Sequence, residues 1–315
     1  MKHVMAAVVL AAGLCAAVPA TAADKLTLIL DWFVNPDHAP LVVAKEMGFF
    51  ADEGLDVDLV APADPNDPPK LVAAGQADVA VSYQPQLQVQ VGEGLPLVRI
   101  ATLVSTPLNS VVVLADGPIK SVKDLKGRKV GFSVGGFEDA VLGAMLEKNG
   151  LTLKDVSLVN VNFSLSPSIL SGQVDAVIGA FRNFELNQMA LEERPGRAFF
   201  PEEEGVPPYD ELVLVANKAK LNDPRLPRLV RAVERATLYI LNHPEPAHAA
   251  FTKGRPELND ELNRRAWADT LPRFANSPAA LDPARYTRFA EFLKARGLTA
   301  TVLPVDAYAV TLPVK

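Results

Sequence analysis

The chain has 315 residues, of which 49% are hydrophobic and 22% charged, and it carries a net charge of −6. This composition excludes a disordered chain, and the length corresponds to about two domains. Because no long basic run is present and Cys15 is the only cysteine, the sequence also excludes a nucleic-acid partner, a disulfide framework and a thiolate metal site. The four histidines show no metal-binding spacing, so we expect neither a metal nor a cofactor.

The first 22 residues follow the pattern of a signal peptide. A short basic start precedes an apolar run over residues 4–18, and residues 20–22 (Ala-Thr-Ala) supply an A-x-A cleavage site. The run is shorter than the roughly 20 residues of a membrane span. Leu14, just before Cys15, does not suit a lipoprotein signal. We predict cleavage near Ala22 and a periplasmic location, since the mature chain then lacks cysteine.

Strand-like and helix-like segments alternate after this signal, which predicts βαβ units and a largely parallel sheet. In the first half, strands are expected at residues 25–30, 55–60, 78–81, 97–104 and 110–114, and helices at 38–50 and 70–74. A second series has strands at 129–132, 156–161, 174–180 and 211–216, and helices at 137–149, 166–171 and 184–193. From residue 224 the chain has helical periodicity, at 226–241, 259–270 and 283–296.

Two short segments resemble each other. Residues 74–78 (AGQAD) and 171–175 (SGQVD) each end a helix, pass through a Gly-Gln turn and open a buried strand. Either the likeness is a coincidence in a common turn or the chain forms two similar α/β lobes. We predict a first lobe from residues 23–115 plus 211–315 and a second from 116–210, with a small-molecule site between them.

A Gly-x-Ser-x-Gly pattern over residues 131–135 matches the nucleophile elbow of serine hydrolases, with a strand before it and a helix after it. A hydrolase using Ser133 is one interpretation. The second is a loop whose backbone N–H groups at Gly135 and Gly136 hold a polar ligand. A plain tight turn is the third.

Polar and aromatic side chains follow three of the predicted strands. Ligands bind at the carboxyl ends of the strands in open α/β sheets. The candidate ligand-binding side chains are Trp32, Asn35, His38, Tyr83, Gln84, Asn183 and Glu185. Each also has a structural interpretation, as a packed aromatic, a helix cap or an acid favoured by a helix N-terminus.

The sequence resembles the family of proteins that handle the pyrimidine precursor of thiamine. Residues 31–40 (DWFVNPDHAP), 82–85 (SYQP) and 182–185 (RNFE) carry the specific part of this resemblance. Shorter Gly-Phe-Phe, Leu-Lys-Gly and Gly-x-x-Asp elements are shared with nitrate-, sulfonate- and taurine-binding transport proteins. The resemblance runs from about Lys25 to Leu298, which is nearly the whole mature chain.

The resemblance implies a type II periplasmic binding protein, an α/β protein with two lobes, a ligand cleft between them and a helical C-terminal segment. Its expected function is to capture a formylaminopyrimidine or hydroxymethylpyrimidine for an ABC importer, whose permease and ATPase are the expected partners of this monomer. The aminopyrimidine would stack between Trp32 and Tyr83, with Glu185 on its polar edge. The alternative is a binder of sulfonate, taurine or nitrate, in which Arg182 contacts the anion instead of pairing with Glu185.

The same family contains a fungal pyrimidine synthase, which uses a pyridoxal-phosphate lysine, a donor histidine and a cysteine-rich iron motif. Ser82 and Gln86 stand at the matching positions for the lysine and the histidine, and no cysteine follows Cys15. The resemblance therefore favours a binding protein over an enzyme.

Overall fold

The computed structural model describes residues 22–313. The signal peptide predicted over residues 1–22 lies outside the described residues except for Ala22, as does Cys15. The strands of the described part are β1 (Asp24–Ile29), β2 (Leu55–Val60), β3 (Val79–Ser82), β4 (Leu97–Val104), β5 (Asn109–Leu114), β6 (Lys129–Phe132), β7 (Ser157–Asn160), β8 (Ala176–Phe181), β9 (Gly196–Phe199) and β10 (Leu212–Asn217).

The helices surround these strands. They are α1 (Ala39–Glu46), α2 (Phe49–Asp52), α3 (Pro68–Ala73), α4 (Gln84–Gly92), α5 (Glu138–Lys148), α6 (Leu165–Leu170), α7 (Glu185–Leu191), α8 (Arg225–Asn242), α9 (Pro244–Thr252), α10 (Glu261–Thr270) and α11 (Pro283–Ala295). No described helix is long and apolar enough to cross a bilayer.

Two five-stranded mixed sheets organise the chain, in the orders β2-β1-β3-β10-β4 and β7-β6-β8-β5-β9. Each contains a parallel βαβ core, β1 beside β2 and β3 in the first and β6 beside β7 and β8 in the second. An antiparallel strand, β10 or β5, joins each core and pairs in turn with the fifth strand of its sheet, β4 or β9. This is the two-lobed architecture of periplasmic binding proteins, as the resemblance predicts.

The chain passes from the first lobe to the second at an earlier position than predicted. Strand β5 was expected in the first lobe, which was drawn to residue 115, but it pairs with β8 and β9 of the second sheet. The chain therefore crosses before Asn109 and returns before Leu212. The prediction followed chain adjacency, whereas antiparallel partners distant in sequence decide which sheet a strand joins.

The described structure contains three elements that the pattern did not indicate, α4, α9 and β9. Helix α4 (QPQLQVQVG) alternates polar and apolar residues, which is a strand-like period. Pro85 at the first turn favours a helix, and the buried side chains of Gln84, Gln86 and Gln88 form hydrogen bonds within the fold. The Gln88 amide, for example, donates to the Tyr286 carbonyl and the Tyr308 hydroxyl at 2.8 Å each.

The segment predicted as one helix over residues 38–50 is two helices. Gly48 separates α1 from α2 and has a φ of +79°, in the left-handed region that ends helices and favours glycine. The C-terminal helices then pack beside the first sheet. Arg99 on β4 is fully buried and donates to the carbonyls of Pro278 and Ala279, which ties the C-terminal segment to that sheet.

Candidate binding cleft

A cavity lies between the two lobes. Its lining is Asp31, Trp32, Asn35, Asp37, His38, Tyr83, Glu138, Leu165, Gly179, Phe181, Phe184, Glu185 and Leu212. Most of these residues follow the carboxyl ends of β1, β3, β6 and β8, which is where ligand sites form in open α/β sheets. The cavity therefore lies at the strand ends where the sequence predicts a ligand site.

One wall is a hydrogen-bonded chain of three buried side chains. The backbone N–H of Asn35 donates to His38 Nδ1 at 3.3 Å, so Nε2 carries the proton and donates to Asp31 Oδ1 at 2.8 Å. The Tyr83 hydroxyl donates to the other oxygen of Asp31, also at 2.8 Å. Both Asp31 oxygens thus accept a hydrogen bond, and this hydrogen-bond network fixes the side chains of Tyr83 and His38 in place.

The flat walls are aromatic. The Tyr83 ring stacks on Phe137 with centroids 5.2 Å apart and planes 21° apart, so Phe137 covers one face of the phenol. The Trp32 ring meets the edge of Phe163 from the second lobe, at 4.6 Å and 68°. These contacts hold both rings rigidly, which reduces the entropy that a stacked ligand must overcome.

Asp37 connects the two lobes beside the cavity. The Asn183 amide, which follows β8, donates to Asp37 Oδ1 at 2.7 Å, and the Thr270 hydroxyl of α10 lies 3.2 Å from the same oxygen. Asn183 therefore binds across the cleft and does not line the cavity. Burial raises the pKa of Asp37 to about 6.

Two further carboxyls enter the cavity from the second lobe. Glu185 begins α7 and accepts the Phe181 N–H on Oε2 at 2.6 Å, and Glu138 begins α5 and accepts the Ser133 N–H on Oε2 at 2.7 Å. Burial is the largest cause acting on both and raises each pKa to about 8. Near neutral pH both groups are therefore mainly protonated, and each can donate as well as accept.

These raised pKa values make stability depend on pH. The unfolded chain releases the protons of Glu138, Glu185 and Asp37 near pH 4–4.5, whereas the folded chain holds them up to about pH 6–8. The unfolded state then binds fewer protons, so the free energy of unfolding falls as pH rises through this window. We expect the melting temperature of ligand-free protein to fall by several degrees between pH 5 and pH 9 in calorimetric scans. The double variant Glu138→Gln with Glu185→Gln should show a weaker dependence of the melting temperature on pH. A wild-type melting temperature that rises with pH would contradict the raised pKa values of these carboxyls.

Gly179 on β8 leaves space for Glu138. Its φ is +97°, and a Cβ at this position would lie 2.3 Å from Glu138 Oε1. We expect Gly179→Ala to lower the free energy of unfolding by about 2–4 kcal/mol, from overpacking plus the backbone penalty. Gly172→Ala is the matched control, because Gly172 has a φ of +74° with no atom within 4 Å of the added Cβ. If urea titrations showed the same loss of unfolding free energy for both variants, a steric overlap between Glu138 and a side chain at position 179 would be contradicted.

Besides Asn183, three of the predicted site residues lie outside the cavity lining: Gln84, Gly135 and Gly136. The Gln84 side chain accepts the Asp210 N–H at 2.8 Å and serves the packing of α4. Gly135 donates its N–H to Asn66 Oδ1 of the first lobe at 3.0 Å, and Gly136 follows it in the same loop. Trp32, Asn35, His38, Tyr83 and Glu185 are the predicted residues that the structure brings together around the cavity.

The anion-binding alternative depends on Arg182 and the hydrolase alternative on Ser133, and the structure shows what each of these side chains contacts. Arg182 pairs with Glu202, at 2.5 and 3.0 Å, and its guanidinium lies 3.9 Å from the centre of the Phe200 ring, so it does not pair with Glu185. Ser133 is fully buried, and its hydroxyl donates to the Asn162 carbonyl. The histidines that follow Ser133 in the chain, as the Ser–Asp–His order of such hydrolases requires, pack elsewhere: His243 lies against Tyr239 and His248 against Trp267.

Comparison with known proteins identifies the family to which this chain belongs. A family model described as "NMT1/THI5 like" matches residues 35–247. A Haemophilus influenzae protein named for thiamine biosynthesis is 56% identical over 95% of this chain and 96% of its own length. The formylaminopyrimidine-binding protein of Halalkalibacterium halodurans is 36% identical over 79% of this chain and 76% of its own length.

Enzymes also carry related sequences. A 4-amino-5-hydroxymethyl-2-methylpyrimidine phosphate synthase of Aspergillus parasiticus is 29% identical over 80% of this chain and 77% of its own length. Among solved structures, the periplasmic aliphatic sulphonate-binding protein SsuA of Escherichia coli superposes with a TM-score of 0.67 at 16% identity. That match covers 92% of each chain and shows the fold alone.

Proposed function

Because the chain belongs to the NMT1/THI5-like family, we propose that it is an exported solute-binding protein that captures an aminopyrimidine precursor of thiamine for an ABC importer. The observation that carries this proposal is the charge of the cavity. Four carboxyl residues and four aromatic residues, Trp32, Tyr83, Phe181 and Phe184, line it, and no Lys or Arg is among the lining residues of the described chain.

A neutral aminopyrimidine matches this lining. Its two faces suit the rings of Trp32 and Tyr83, and aromatic pairs contribute about 0.5–1.5 kcal/mol beyond the burial of area. Its polar edge places a ring nitrogen, which accepts, beside an exocyclic amine, which donates. A protonated carboxyl such as Glu185 can donate to the nitrogen and accept from the amine at the same time.

The anion-binding alternative receives less support. A sulfonate or nitrate would lie among Asp31, Asp37 and Glu185 with no lining cation, and the one cation expected to hold it, Arg182, is paired with Glu202. Placing an anion against carboxyls in a low-dielectric cleft is unfavourable. Likeness to SsuA therefore supports the fold without supporting a sulfonate ligand.

The synthase alternative also receives less support. At the positions that match the lysine and histidine of the fungal enzyme, the hydroxyl of Ser82 donates to Gln86 Oε1 at 2.8 Å, and both side chains are buried. A serine cannot form the Schiff base that pyridoxal phosphate chemistry needs. We propose a binding protein that does not transform its ligand.

Mass spectrometry tests the function without presupposing affinity. Protein purified from a thiamine-containing culture, without added ligand, should show a bound small molecule under native conditions. Denaturation should release a molecule with the mass of an aminopyrimidine. Release of taurine or another sulfonate in stoichiometric amount would contradict the proposal.

A further inference from the structure

One side chain of the first lobe forms hydrogen bonds directly with the backbone of the second. Asn66 lies in the loop between β2 and α3, and its amide Nδ2 donates to the Ser133 carbonyl at 3.1 Å. Its Oδ1 accepts the Gly135 N–H at 3.0 Å. The amide thus satisfies a carbonyl and an N–H of the same loop, as a neighbouring strand would. These two hydrogen bonds are called the Asn66 contact below.

The loop that carries Asn66 is held within its own lobe. Asp64 Oδ1 accepts the backbone N–H of Asn66 at 2.8 Å and its amide Nδ2 at 2.9 Å. These bonds hold the pKa of Asp64 below its usual value, so the acceptor is ionised at neutral pH. Pro62 and Pro65 restrict the backbone of the same loop. The amide is therefore oriented in advance, and little conformational entropy is lost when it meets the second lobe.

The partner of Asn66 is the Gly-x-Ser-x-Gly loop, which is held within the second lobe. The Ser133 N–H donates to Glu138 Oε2 at 2.7 Å, and the Ser133 hydroxyl donates to the Asn162 carbonyl. Ser133 is fully buried, whereas Gly135 is exposed. The loop therefore presents a fixed carbonyl and a fixed N–H to the first lobe, which gives this sequence pattern a role other than catalysis.

The Asn66 contact lies far from the segments that connect the lobes. Those segments run from β4 to β5 and from β9 to β10, and these strands stand at one end of their sheets. Asn66 follows β2, at the opposite edge of the first sheet, and Ser133 follows β6, towards the opposite edge of the second. Rotation of the lobes about the connecting segments displaces this side most. The contact therefore forms only when the lobes are closed.

The Asn66 contact is also separate from the cavity. Asn66, Ser133 and Gly135 are not among the described residues that line it, so these hydrogen bonds form without help from a ligand. The bond from Asn183 to Asp37 also joins the lobes, but Asp37 lines the cavity, and its replacement would alter the site itself. A substitution at Asn66 changes lobe closure and leaves the site's side chains in place.

We propose that Asn66 is a positioning residue that holds the two lobes closed with and without a ligand, and that it thereby slows the release of a bound ligand. The second half of this inference rests on the proposed function, whereas the first half concerns the lobes alone. Hydrogen bonds between the lobes lower the free energy of the closed state whether it is occupied or empty. Since an enclosed ligand leaves only after the lobes separate, the same bonds slow its release.

The first measurement needs no ligand and uses Trp32 as its reporter. Trp32 belongs to the first lobe, is 9% exposed and packs in an apolar cluster of second-lobe residues, with Phe163 at 4.6 Å. Separation of the lobes uncovers it. In a Trp267→Phe background Trp32 is the only tryptophan left. Quenching of its fluorescence by acrylamide, in protein freed of retained ligand, should increase about twofold on Asn66→Ala. The backbone bond from residue 66 to Asp64 remains in this variant.

The second measurement is the rate at which formylaminopyrimidine leaves the protein, followed by stopped-flow displacement. Release should be about tenfold faster in Asn66→Ala, because two hydrogen bonds are lost. Asn66→Asp should also release faster, since a carboxylate accepts the Gly135 N–H but cannot donate to the Ser133 carbonyl. Asn242→Ala is the matched control, at an exposed asparagine of the first lobe whose amide donates to the Leu238 carbonyl of its own helix. It should match wild type in both measurements, and melting temperatures verify that each variant folds.

The two measurements separate failure of the inference from failure of the proposed function. Unchanged quenching in Asn66→Ala would overturn the inference whatever the pyrimidine does. Release at the wild-type rate from Asn66→Ala and Asn66→Asp would also overturn it, while the bound pyrimidine would leave the proposed function intact. A wild type that binds no pyrimidine, together with increased quenching in Asn66→Ala, would overturn the proposed function and support closure by Asn66.

Discussion

Trp32→Ala should weaken aminopyrimidine binding by about a hundredfold. Trp32 provides one flat wall of the cavity and is only 9% exposed, so a ligand stacked on it loses nearly all contact with water on that face. Truncation of a buried aromatic anchor costs about 2–4 kcal/mol in binding, and 1.4 kcal/mol corresponds to tenfold. Calorimetry with formylaminopyrimidine measures the change.

The second tryptophan supplies the control for this variant. Trp267 packs against Phe251, at a centroid distance of 5.5 Å, on a helix that does not line the cavity. Trp267→Phe should leave the affinity within about twofold, and Trp32→Phe should retain part of it because a smaller ring still stacks. Melting temperatures separate misfolding from lost contact. Wild-type affinity in Trp32→Ala, with the fold intact, would remove Trp32 from the site.

Glu185→Gln should weaken aminopyrimidine binding by about ten- to a hundredfold at pH 7. The amide of glutamine can accept the Phe181 N–H and present a donor, but its NH₂ group cannot accept from the exocyclic amine of the ligand. A buried amine left without its acceptor costs roughly 1–3 kcal/mol, which sets the range. Titration of the variant by calorimetry gives the value.

Glu192→Gln is the matched control, because it makes the same substitution at an exposed position just after the same helix. It should leave the affinity unchanged. The anion-binding alternative predicts the opposite sign for Glu185→Gln, since an amide, unlike a carboxyl, cannot ionise beside an anionic ligand. Tighter taurine binding in this variant would support that alternative.

Much of the fold is predictable because its elements are local. The βαβ alternation gives the two parallel cores, and the glycines after helices mark their ends, as at Gly48. Strand β5 could not be assigned to its lobe, since its partners β8 and β9 lie far along the chain. Helix α4 was missed because its alternating glutamines have the period of a strand while tertiary hydrogen bonds stabilise a helix.

The cavity is predictable to a similar extent. Trp32, Tyr83 and Glu185 follow strand ends, and the geometry of parallel sheets brings such positions together. Glu138 and Asp37 were missed as site residues because burial, which gives them their raised pKa values, is a property of the assembled lobes. Gly135 and Gly136 were expected at the ligand, but a loop sequence does not show which partner its N–H groups meet.

The central claim is that the cleft recognises a neutral, amine-bearing pyrimidine and not an anion. Calorimetric titration of the wild-type protein, freed of any retained ligand, with formylaminopyrimidine and with taurine tests this claim most directly. We predict saturable one-to-one binding of the pyrimidine with a dissociation constant of about 1 μM or lower, and no heat of binding with taurine at millimolar concentration. Tight one-to-one binding of taurine, with no heat from the pyrimidine, would contradict it.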